Sequence, residues 1–119
     1  MDNINEKSNI PAAEEKVVSA AGAYTHVFAK PFEYEGKKYE QITFDWGKLT
    51  GADSLAIENE IQALGKAMLT PEFSGEYLIR MAARSSVPRV GVDVITAMPI
   101  NDFNKIRSRA RAFLLNLAP

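Results

Sequence analysis

Cysteine is absent from the 119 residues, and histidine and tryptophan occur once each, as His26 and Trp46. Without cysteine there is no disulfide framework, no thiolate nucleophile and no sulfur-ligated zinc site. A single histidine leaves no His pair at helical spacing, so a histidine-based metal site would have only one ligand to start from. An excess of positive charge is missing too: 14 basic residues meet 15 acidic ones, for a net charge of −1 and a pI near 5.8. No global field therefore draws the chain to nucleic acid. No apolar run approaches the roughly 20 residues of a membrane-spanning helix. The opening "MDNINEKSNIPAAEEK" has early acids and no apolar core, unlike a secretory signal. These absences point to a soluble cytoplasmic protein without a membrane partner.

What is present is ordinary in amount and specific in pattern. Hydrophobic residues make up 46% and charged residues 24%, enough for one small domain. Residues 1–22 are polar and then alanine-rich, and read as a flexible N-terminal arm. Residues 23–119 read as the folded domain, which opens with "YTHVFAKPFEYEGKKYEQITFDW". This stretch is two β-rich runs about a glycine-containing turn near Glu35–Lys38, a hairpin over about residues 24–46. Alternation puts Ile42, Phe44 and Trp46 on one face. A loop of two or four residues sets Val27 and Ala29 on that same face. Tyr34 and Tyr39 bracket the turn as a cross-strand pair. Pro31 cannot donate to a ladder, so the first strand lies at an edge or bends there.

Helical signals take over from "LTGADSLAIENEIQALGKAML". Thr50 with Asp53 three positions on gives a capping-box start. Ile57, Ile61, Leu64 and Met68 form an apolar stripe within an arc of about 60°, and this helix is expected to cover the hairpin. Leu55 points away and needs a second contact. "TPEFSG" is a break. "EYLIRMAARSS" reads as a second helix with Leu78, Met81 and Ala82 inward. "VPRVGVDVITAMP" suits either a strand or a short helix, and is read as the helix. Asn101 then caps a last helix running to about Leu117. The fold class is α+β: an N-terminal hairpin followed by three to four helices.

"NDFNKIRSRARAFLLN" crowds Lys105, Arg107, Arg109 and Arg111 together. At about 100° per residue, Phe103, Ile106, Ala110, Phe113, Leu114 and Leu117 gather within roughly 100° of arc. Arg107 and Arg111 flank that stripe on one side, Lys105 and Arg109 on the other. A groove-reading helix needs its cations converging, and these diverge. The stripe must be covered by the domain or by a partner. The candidate contact residues are Phe103, Ile106, Phe113, Leu114 and Leu117 of the stripe, with Leu115 projecting away from it and Arg107 and Arg111 at the rim. Docking is expected at the distal part, Phe113, Leu114 and Leu117.

Nothing else in the sequence assembles chemistry. His26 lies in a strand among apolar residues, where a structural place is the simpler reading. Glu14–Glu15 and Glu58/Glu60 do not face each other on a helix. Ser85–Ser86 lacks a nearby histidine and a nucleophile elbow. The glycines never form a phosphate loop. No catalytic residue, cofactor or metal site is expected.

Three short motifs in order, Tyr34–Tyr39 ("YEGKKY"), Leu49–Asp53 ("LTGAD") and the helix from Asp102–Phe103, resemble the small tail assembly chaperones of Mu-like and other contractile-tailed phages and prophages. The likeness covers about residues 24–117. The polar arm before Tyr24 departs from the compact start of that family. The resemblance implies a non-enzymatic factor of the host cytoplasm that holds the tape measure protein during tail assembly and is absent from the finished particle. It leaves self-association open. The rival readings are a structural or adaptor protein of the tail, and a small DNA-binding regulator.

Overall fold

A computed structural model of the chain describes residues 22–68 and 70–115. Three strands, β1 (Ala23–Tyr34), β2 (Lys37–Asp45) and β3 (Ser86–Val87), form an antiparallel sheet in the order β1-β2-β3. Four helices accompany it: α1 (Gly51–Ala63), α2 (Gly75–Ser85), α3 (Val92–Thr96) and α4 (Ile100–Leu114). The fold is α+β, as the sequence implies. The flexible-arm expectation for residues 1–22 lies outside the described residues save for Gly22, and so does the last helix beyond Leu115.

The hairpin turns on Glu35 and Gly36, whose φ values of 49° and 79° are both positive. That is the two-residue connection whose twist matches antiparallel strands. Tyr34 faces Lys37, and Phe32 faces Tyr39. The Tyr34–Tyr39 pair is thereby corrected: Phe32 is the residue opposite Tyr39, with ring centroids 6.1 Å apart.

The register then shifts between Val27 and Phe32, the segment containing Pro31. Beyond the shift His26 faces Ile42 and Tyr24 faces Phe44. Val27 and Ala29 are therefore exposed, contrary to the uninterrupted alternation, and Tyr24, His26 and Phe28 take the buried positions. Proline's missing N–H breaks the ladder, and the extra residues in β1 reverse its faces. β1 is also an edge strand. Ile42, Phe44 and Trp46 are buried as their alternation requires.

Thr50 caps α1: the Asp53 carboxylate accepts from the Thr50 backbone N–H at 2.8 Å and from its hydroxyl at 3.2 Å. The helix stops at Ala63 because Gly65 takes a φ of +73°. Its N–H donates to the Gln62 carbonyl, and that of Lys66 to the Ile61 carbonyl, which closes the last turn. Leu64 consequently falls past the helix and is exposed, so the buried stripe is Ile57 and Ile61, with Met68 partly covered. Leu55 is exposed as well, so the described residues do not bury it.

The helix laid on the sheet is α2, not α1; α1 packs on α2 from beyond. The reason lies in the sequence of α2, where Tyr77, Leu78, Ile79, Met81, Ala82 and Ala83 are all buried. A helix apolar on most sides belongs in the middle. Arg84 and Arg80 on its remaining side join it to α1 through Asp53 and Glu60. At its end the Ser86 hydroxyl donates to the Ala83 carbonyl and accepts from Val90 N–H, both at 2.8 Å. The serine pair thus terminates a helix and starts β3.

The segment Val92–Thr96 is helical despite its β-branched residues. α4 begins two residues earlier than expected. Pro99, not Asn101, is its cap, and the Pro99 carbonyl accepts from Phe103 N–H at 2.9 Å. α4 packs against α2 and β1.

Candidate functional site

Two places gather polar or aromatic side chains beyond what packing needs: the junction of β1 with α4, and the outer side of α4. At the junction His26 is 3% exposed, and both ring nitrogens are engaged. Nε2 lies 2.7 Å from the Asp102 carboxylate and Nδ1 lies 2.8 Å from the Tyr24 hydroxyl. A carboxylate only accepts, so Nε2 carries the proton and Nδ1 accepts from the tyrosine O–H. Phe28 meets the imidazole edge-on at 4.8 Å, and the Arg109 guanidinium sits 4.7 Å over the Tyr24 ring. Burial pushes the imidazole below its ordinary 6.5; Asp102 opposes the shift and Lys105 adds to it. The cluster fastens the first turn of α4 to the edge strand. Tyr24 and Asp102 carry no signal in the sequence, since Asp102 stands 76 positions from its partner.

Along α4 the expected contact residues divide. Ile106 is wholly buried together with Ala110 and belongs to the domain's own core, so it is unavailable to a partner. Phe103 and Leu114 are partly buried against that core. Phe113 is 37% exposed, with its ring 6.4 Å from that of Trp46 and close to Gly22. Leu115 is exposed to about the same degree. Leu117 lies outside the described residues.

Arg107 and Arg111 share the side of α4 that faces the 3-10 turn Pro71–Phe73 and the start of α2. Arg111 Nε donates to the Glu72 carbonyl at 2.9 Å, and its guanidinium lies 5.6 Å over Phe73. Arg107 rests against Gly75, where an added Cβ would come within 3.5 Å of the guanidinium. Phe73 is 65% exposed and belongs to no periodic pattern in the sequence. Its signal was an aromatic set between a proline and a glycine in a break.

Among the described residues no group of three or more His, Cys, Asp or Glu is placed to hold a metal ion. No described helix is long and apolar enough to cross a membrane. Comparisons of the chain with protein families, with curated proteins and with solved structures found no match.

Proposed function

We propose that the chain is a non-enzymatic assembly chaperone of a contractile phage tail that holds the tape measure protein through the outer and distal parts of α4. The motif resemblance supplies the identity of the partner. The observation that supports a docking role is the state of α4: Phe113 and Leu115 are exposed at its end, and none of its four cations meets a carboxylate partner among the described residues. By contrast, Arg80 and Arg84 of α2 are both neutralised within the fold. A helix whose cations form no ion pair among the described residues and whose end is apolar suits association with another amphipathic helix.

The test is co-expression with a candidate tape measure protein, a very long helical protein if one is encoded just downstream, followed by capture and analysis of finished particles. Retention of the long protein in soluble form, together with absence of the chain from particles, is the expected result. Presence of the chain in purified particles would instead identify a structural component. Binding of duplex DNA with a steep salt dependence would identify a regulator.

A further inference from the structure

Arg107, Arg111 and Leu115 follow one another as a row at four-residue steps along α4, and both arginines lie on the half-buried side of the helix that faces the turn Pro71–Phe73. Phe73 stands beside the middle of this row, held there because Arg111 binds the carbonyl of the residue before it. A mostly exposed phenylalanine would ordinarily be free to fold back. Here the turn that bears it is tied to α4, and the ring is presented to solvent under a guanidinium. Aromatic and arginine side chains together are what interface centres favour.

The charge is equally particular. Arg107 and Arg111 lack a carboxylate partner among the described residues, and Arg107 Nε is buried without a hydrogen-bond acceptor. Arg109 is turned away onto the Tyr24 ring. Two guanidiniums therefore follow each other about one helical turn apart, roughly 6 Å along the axis, that of Arg111 over the exposed Phe73 ring and that of Arg107 against Gly75. We propose that this surface binds an amphipathic helix of another protein, apolar where it meets Phe73 and Leu115 and bearing two carboxylates one turn apart for Arg107 and Arg111. The proposal deepens the chaperone reading and rests on it for the origin of that helix.

A second copy of the chain fits the surface poorly. Its acidic helix, α1, has already committed Asp53 and Glu60 to Arg84 and Arg80, which leaves Glu58 alone. Nucleic acid fits poorly as well, because only two cations converge and the net charge is −1.

The test uses the full chain with three synthetic helical peptides of about 20 residues and a DNA duplex, read by fluorescence anisotropy. One peptide has a leucine stripe flanked by glutamates one turn apart. The second replaces its glutamates by lysines, and the third replaces its leucines by serines. The Glu/Leu peptide should bind at least about tenfold tighter than either other peptide and tighter than DNA, a difference of the size one well-placed anchor supplies. Phe73→Ala should weaken it about tenfold, Arg107→Glu with Arg111→Glu should abolish it, and Leu55→Ala on α1 should leave it unchanged. Equal binding of the Glu and Lys peptides, or stronger binding of DNA, overturns the proposal using the unaltered chain alone. So does undiminished binding by Phe73→Ala. Should the Glu/Leu peptide bind while no tail protein co-purifies, the surface stands and the chaperone reading falls.

Discussion

His26 holds two elements together through a ring that can give one proton and take one. Its neutral form satisfies both neighbours; its charged form would lose the acceptor that the Tyr24 hydroxyl uses. Because burial lowers the folded-state pKa below 6.5, the unfolded chain takes up a proton first as the pH falls. The stability associated with this residue is therefore complete above 6.5 and is lost as the pH drops toward the lowered folded value. One proton changes stability by at most about 1.4 kcal/mol per pH unit. His26→Gln should keep a hydrogen bond to Asp102 and remove the titration. Its urea stability should fall less than the parent's as the pH drops below 6.5. An unchanged decline in the variant would falsify the assignment. The same variant should retain its association with a partner, since the ring is buried away from the outer side of α4. Phe44, with no exposed surface, stacks on Trp46 at 5.4 Å. Phe44→Ala should cost about 3–5 kcal/mol in chemical denaturation, and a loss below about 1 would place that face in solvent. The place of Phe44 was legible from alternation. The partners of His26 were not, because a contact across 76 positions leaves no periodic trace.

At the scale of elements, the hairpin separates what local chemistry dictates from what it only hints at. The turn is dictated: Glu35 and Gly36 both need positive φ, and glycine satisfies the second at little steric cost. An added Cβ at Gly36 would meet nothing within 4 Å, so any loss on substitution is conformational. Gly36→Ala should destabilise by about 1–2 kcal/mol, and Gly36→Asn by less, because asparagine tolerates the left-handed region. Equal midpoints for all three chains in urea would mean that the turn does not hold this geometry. The register shift was only hinted at. Pro31 announces a break in the ladder, but how many residues the break absorbs depends on which side chains the core accepts. Here the core takes Tyr24, His26 and Phe28, and Val27 and Ala29 are turned out. The cap of α1 was legible to the residue, because Thr50 and Asp53 act through local hydrogen bonds. The extra cover expected from Leu64 was lost to Gly65 one position on. Two-residue β3 could not be read at all, since Ser86–Val87 is too short to show a period.

Across the whole molecule, a net charge of −1 conceals an uneven distribution. α1 carries Asp53, Glu58 and Glu60 with no cation, while α4 carries Lys105, Arg107, Arg109 and Arg111 with only Asp102, which is bound to His26. Both helices pack on α2, but Asp53 and Glu60 are paired with Arg84 and Arg80, so among the described residues of the two helices the charge without an ion-pair partner is concentrated on α4. An approaching acidic helix should feel that charge before it touches the surface, and salt should screen the attraction over about 8–10 Å. The apolar contacts at Phe113 and Leu115 act only after contact. The two kinds of residue should therefore separate in kinetics. Arg107→Ala with Arg111→Ala should slow association several-fold at low salt and flatten its salt dependence. Phe113→Ala with Leu115→Ala should leave the association rate nearly unchanged and speed dissociation about tenfold or more, because anchors set residence time. Stopped-flow mixing with the captured partner over a range of salt concentrations would resolve both rates. If the arginine pair alters only dissociation, or the apolar pair only association, α4 does not meet its partner through this division of labour.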